Sequence, residues 1–237
     1  MKYIYKIALS VLLMSVTEIN LNAQALGINL ATPQWYSINH IIERYNETRP
    51  WLDNKMNEIH YVPGINFSFL GDEWDSRWAV ELFRYQYMRR SVSASGNNDK
   101  RTLIFTCNSF SIAGGTFYPV KGEKLRFGIG AYPMELHRFK FKSKLKSTDT
   151  KETLFKSSVF FGIPIVASST VHADLSVKLN DKRNMTFRVY YLLDWFQDED
   201  ILPVNSSINP NTYETHYQSQ IFNMSHLGFT ILYVLQD

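Results

Sequence analysis

The stretch NMTFRVYYLLDWF, Asn184 to Phe196, splits cleanly at period two. Met185, Phe187, Val189, Tyr191, Leu193 and Trp195 fall on one face; Thr186, Arg188, Tyr190, Leu192, Asp194 and Phe196 fall on the other. Successive side chains of a strand point to opposite faces, so one side is an unbroken apolar and aromatic row. The other side carries an Arg and an Asp. An Arg centred in so apolar a stretch reads as one stave of a membrane-spanning β-barrel, apolar toward lipid and mixed-polar toward the lumen.

The same alternation recurs along the chain. Leu26–Ala31 is a short first strand, and Ile65, Phe67 and Phe69 share a face in the next. Arg77–Arg89 carries Glu81 in its middle, and Arg101–Pro119 is extended and rich in Thr, Phe and Gly. From Leu125 the row Leu-Phe-Ile-Ala opposes Arg126 and two glycines, until Pro133 interrupts the parity and predicts a bulge or the membrane rim. Val159–Leu179 keeps an odd-numbered apolar face that is longer than a bilayer needs. Either it projects beyond the membrane, or Ser168-Ser169-Thr170 hides a turn. The last strand is Phe222–Leu235.

Polar loops at 36–61, 92–100, 144–151 and 197–216 alternate with tight turns at 71–76, 120–124 and 180–183. The resulting expectation is all-β: an up-and-down antiparallel transmembrane barrel of about eight strands, with ten possible, both termini in the periplasm and the longer loops outside. At the N-terminus, Lys2 and Lys6 precede the apolar run Ile7–Val16, and Ala23-Gln24-Ala25 fits small-x-small cleavage. Residues 1–25 read as a cleaved signal peptide, with cleavage after Ala23 or Ala25, and 26–237 as the barrel domain.

Of 237 residues, 20% are charged and 15% aromatic, the latter concentrated in the alternating runs where a barrel needs walls and girdles. A spread net charge of +3 does not point to nucleic acid. The lone Cys107 excludes an intrachain disulfide and a cysteine-cluster metal site. Alternation alone does not decide which face is inside; a soluble lipocalin-like carrier would exchange the two. Two details favour lipid outside. The non-apolar faces are poor in Lys and Glu, and an Arg at the lipid midplane costs about 2–4 kcal/mol. Glu81, Arg126, Arg188 and Asp194 are therefore expected in the lumen, as a salt-bridged filling or as the lining of a narrow pore.

In signal peptide, strand number and loop asymmetry the mature chain resembles small outer-membrane barrels of the OmpA-membrane-domain and OmpX type. Ile163-Pro164-Ile165 is similar to an element of that superfamily in Gram-negative bacteria. The resemblance implies an outer-membrane location, insertion by the barrel-assembly machinery, and a structural or surface-interaction role for the extracellular loops. The chain departs from the pattern at its end, Leu235-Gln236-Asp237, where an aromatic residue is usual.

The sharpest surface feature is Arg138, Lys140, Lys142, Lys144 and Lys146 on one face of a strand whose other face holds Phe139, Phe141 and Leu145. Above the outer bilayer surface that row suits lipopolysaccharide phosphates or another anionic partner. His40, His60, His137, His172, His216 and His226 show no Ser/His/acid or metal-ligand spacing, so neither an enzyme nor a cofactor is expected.

Overall fold

The computed structural model describes residues 22–33, 36–97, 99–156, 159–160, 163–164, 166–195 and 225–236. Strands β1 (Ala23–Pro33), β2 (Val62–Asp72), β3 (Trp78–Gly96), β4 (Asp99–Lys121) and β5 (Leu125–Leu145) follow one another, with helix α1 (Tyr36–Glu47) between the first two. After β5 come β6 (Lys151–Lys156), the two-residue strands β7 (Val159–Phe160) and β8 (Ile163–Pro164), then β9 (Val166–Asn180), β10 (Arg183–Asp194) and β11 (His226–Gln236). Eight of these, β1–β5 and β9–β11, close an antiparallel barrel through the β4–β5 and β1–β11 pairings. β6 is an additional strand on the upper part of β5.

Closure leaves no lipid-exposed backbone edge, which a membrane span requires. The outward row is apolar: Ile28 is 63% exposed, Ile129 54%, Val189 47% and Leu193 45%. The inward row holds Arg84, Arg126, Arg188, Glu81, Glu135 and Asp174, all buried. That polarity is the reverse of a carrier barrel. Met185 to Leu193 spans about 27 Å along β10 at about 3.4 Å per residue. At a tilt of about 40° it covers about 21 Å of height, close to the apolar band of such barrels.

Several sequence expectations need correction. Residues 36–61 are not all loop: α1 is twelve residues long. Its Ile42 and Tyr45 are buried on the inner faces of the long strands. Most of 92–100 is strand, because β3 and β4 form one tall hairpin whose ladder runs up to the pair Gly96 and Asp99. No turn lies at Ser168–Thr170, which pair with Asp194–Leu192 at the end of the β9–β10 ladder, so the barrel has eight staves. The expected loop 197–216 lies outside the described residues, as do residues 1–21 of the segment read as a signal peptide. Ala23 and Ala25 are already paired on both sides within β1.

Irregularities in the ladders lie at one level on three neighbouring strands. The β2–β3 register shifts between Phe69 and Leu70 opposite Leu82, and the β5–β9 register shifts between Tyr132 and Glu135. Ala113 stands unpaired opposite Leu82 in the β3–β4 ladder, whose register is unchanged. Ala113 has φ 59°, a left-handed conformation a single bulge residue can adopt. Below this level the outward positions of β5 are odd-numbered (Leu125, Phe127, Ile129); above it they are even-numbered (Arg138, Lys142).

Candidate functional site

The inward surface forms three tiers. At the end that carries the tight turns, Ala23, Ala25, Leu70, Leu232 and Val234 make an apolar cluster. Trp74, from the β2–β3 turn, lies with its ring 4.6 Å from the Arg126 guanidinium, whose other face meets Tyr118 at 4.0 Å. Arg126 is paired with Asp72, so this charge is both neutralised and stacked.

The middle tier is ionic. Arg188 on β10 makes a two-point contact with its register neighbour Asp174, Nε to Oδ1 at 2.8 Å and Nη2 to Oδ2 at 2.9 Å. Its Nη1 reaches across the lumen to Glu81 Oε2 at 3.0 Å. The Tyr132 hydroxyl accepts from Arg188 and donates to Glu81, and Ser68 contacts the second Glu81 oxygen. Thr116 donates to Asp174 and lies 2.9 Å from His172 Nε2. Higher up, Arg84 Nη2 donates to Gln86 at 2.7 Å, and the guanidinium lies between the rings of Tyr132 and Tyr190. Thr170 donates to Glu135 Oε2 at 2.6 Å, and His137 lies against Ser168.

Above this tier the lumen ends in a second apolar cluster. Met88, Leu103, Phe105, Phe139 and Phe141 from the long strands pack with Ile42 and Tyr45 of α1, and with Met56 and Ile59. Two asparagines fasten the α1 segment. Asn39 exchanges hydrogen bonds with the Ile59 backbone and Asn46 with the Met56 backbone. An eight-stranded lumen is just wide enough for side chains to fill, and among the described residues buried side chains occupy it at these three levels.

The outer face of the upper strands has the opposite character. Arg138 and Lys142 are exposed and Lys140 and Lys144 half-exposed along β5, and Lys146 is exposed in the following turn. Lys151 of β6 is the register partner of Lys144. On the adjoining strands Thr106 faces Lys140 and Arg89 faces Thr106, while Ser93 and Thr102 share a hydrogen bond of 2.9 Å. Lys144 Nζ binds Asp149 at 2.8 Å. That contact, foremost among the causes, holds the exposed Asp149 carboxyl below the usual carboxylate range. The same strands thus run apolar-out within the belt and apolar-in above it.

Of the lumen residues expected from sequence, Glu81 and Arg188 meet in one cluster, and Arg126 is buried in another pair. Asp194 is not brought to either. It is half-exposed at the top of β10, its backbone N–H donating to Ser225. Asp72, Arg84, Tyr132, Glu135 and Asp174 were missed. Asp174 was findable, on the even-numbered face of β9 with Thr170, His172 and Ser176. Arg84 and Glu135 were not, because each follows a bulge that reverses parity.

No protein-family model matches this sequence, and no curated protein matches it. Among solved structures the chain is similar to Ail, the attachment invasion locus protein of Yersinia pestis, crystallised with the heparin analogue sucrose octasulfate. Identity is 10%, over 92% of this chain and 99% of that one, with a TM-score of 0.41. It is also similar to Neisserial surface protein A, at 8% identity over 91% of this chain and 96% of that one, with a TM-score of 0.40.

Proposed function

We infer that this chain is a non-conducting, non-enzymatic barrel of a bacterial outer membrane, and that its work is done by the extracellular extension of β3–β6. The observation that carries this reading is the pairing of a lumen closed at three levels with a stiff sheet that presents Arg138, Lys140, Lys142, Lys144 and Lys146 outward. A side-chain-filled barrel offers no aqueous path. A row of cations on ladder-fixed backbone, by contrast, offers a pre-organised partner for anionic groups. In this reading the outward basic row from Arg138 to Lys146, above the apolar belt, meets lipopolysaccharide phosphates or another anionic surface partner. During insertion the chain is handled by the barrel-assembly machinery.

Two measurements test the proposal. Purified protein in planar bilayers should give no discrete conductance steps; reproducible single-channel openings would favour the narrow-pore reading. Replacing Lys140, Lys142 and Lys144 together by Glu should weaken binding of lipopolysaccharide in nanodiscs. Three exposed pairs are each worth up to about 1 kcal/mol, so the loss should be roughly 10–100-fold and should shrink in high salt. Unchanged affinity would remove the basic face from the account.

A further inference from the structure

The charges buried in the lumen do not balance among the described residues. Among the described residues the buried ionisable carboxyl groups are those of Asp72, Glu81, Glu135 and Asp174, and the buried guanidinium groups are those of Arg84, Arg126 and Arg188. Asp72 is matched by Arg126, and the strongest electrostatic partner of Arg84 is Glu135. Arg188 is then left to face two carboxyl groups, Glu81 and Asp174. An uncompensated charge in a dry, lipid-jacketed interior is costly enough that a titratable group normally neutralises instead.

Hydrogen-bond donors identify which group. The Ser68 hydroxyl has one proton, yet its oxygen is within bonding distance of two acceptors, Glu81 Oε1 and, at 3.2 Å, Asn66 Oδ1. A proton on Glu81 Oε1 resolves both contacts: Glu81 donates to Ser68, and Ser68 donates to Asn66. Glu81 Oε2 remains the acceptor for Tyr132 and Arg188. Turning the Asn66 amide over would free Ser68 to donate to an ionised Glu81, but would leave the surplus charge in place.

The other candidates fit worse. Asp174 already accepts from two Arg188 nitrogens and from Thr116. Since Thr116 gives its proton to Asp174, it accepts from His172 Nε2–H, and a second proton on His172 Nδ1 would meet no acceptor. His137 Nδ1 is likewise without a partner. Glu135 is the strongest electrostatic partner of Arg84, so a proton there would leave that buried guanidinium without its counter-charge. We propose that Glu81 is a neutral carboxylic acid in the folded barrel at neutral pH, a proton-holding site that makes the ionic tier electrically neutral.

The test is infrared spectroscopy of the folded protein in detergent at pH 7, combined with amide substitutions. The expected result is a protonated-carboxyl C=O band that shifts when glutamate is labelled with ¹³C. It should not shift when aspartate is labelled, should persist in Glu135→Gln, and should vanish in Glu81→Gln. Glu81→Gln keeps the donor toward Ser68 and the acceptor toward Arg188, so its unfolding equilibrium should stay within about threefold of the parent. Asp174→Asn, which breaks the ionised pair, should shift that equilibrium by roughly 100-fold or more. Absence of the band from the parent protein would overturn the proposal. So would a band that survives Glu81→Gln, or a Glu81→Gln protein that fails to fold.

Discussion

Gly130 shows how tightly the barrel wall is specified at single positions. It lies on the inward face of β5, where an added Cβ would run into the Gly115 carbonyl oxygen and the His172 ring. One of those obstacles is backbone in the neighbouring strand, which cannot step aside without breaking the ladder. Gly130→Ala should therefore destabilise the barrel by about 1–3 kcal/mol, the range for overpacking. A lower denaturant midpoint in refolding titrations would register it. Ala131→Leu, one residue on but facing lipid, should leave the midpoint unchanged. Gly228 has a related job, its missing side chain leaving room for Tyr190. These glycines let an eight-stranded lumen hold large rings and three guanidinium groups at once. Asp72 and Arg126 exploit the same economy at the tight-turn end, where the rings of Trp74 and Tyr118 lie against the Arg126 guanidinium.

Among the elements, the tall hairpin β3–β4 and the β5–β6 turn are joined at their tips by one side chain. Asp99 accepts from the Ser147 hydroxyl at 2.6 Å and from the Ser147 amide at 3.0 Å. The hydroxyl contact is the leading cause that holds the Asp99 carboxyl below its ordinary value, with the Lys100 and Ser147 amides adding to it. A depressed carboxylate contributes its full stabilisation above its unfolded value, near 3.9, and loses it as pH falls through the lower folded value. The Ser147 amide should accordingly keep its hydrogen-exchange protection at pH 5 and lose it only once the pH falls below the ordinary carboxylate range, ahead of the strand amides of β5. Asp99→Asn should remove the pH dependence. The tips matter because they fix the height and spacing of Lys144, Lys146 and Lys151.

The elements also show where sequence reading succeeds and where it fails. Period-two rows in Met185–Leu193 and Leu125–Ala131 disclosed the lipid-facing wall, since lipid imposes one polarity on every residue of a row. The basic row from Arg138 to Lys146 was equally plain, as was its apolar counter-row of Phe139 and Phe141. Helix α1 was hidden because its short amphipathic pattern sits in a polar stretch, and only packing on the strands' inner faces reveals its purpose. The ionic tier was half hidden for a different reason. Bulges at Leu82, Ala113 and Pro133 reverse parity, so a face followed upward from Glu81 or Tyr132 leads away from Arg84 and Glu135. Asp72 was masked by the turn it opens.

For the whole molecule, the decisive feature is a reversal of inside and outside along a single strand. On β5, Ile129 faces lipid, Tyr132 and Glu135 face the ionic tier, Phe139 and Phe141 face the apolar cap, and Lys142 faces water. The belt obeys the rules of a transmembrane barrel, whereas the extension above obeys those of a soluble sheet packed against a helix. Substitutions of opposite sense therefore mark where the membrane stops. Ile129→Lys should cost about 2–4 kcal/mol, since it places a charge in hydrocarbon. Lys142→Ile, which adds an apolar side chain at a position lipid does not touch, should leave barrel stability unchanged. Phe139→Lys should disrupt the cap while the barrel below it survives, because a buried charge there is unpaired but lies outside the closed ladder. Heat-modifiable gel mobility reads the barrel, and limited proteolysis within residues 48–61 reads the cap. Loss of both signals together in Phe139→Lys would mean that extension and barrel fold as one cooperative unit, and the division of labour between them would have to be abandoned.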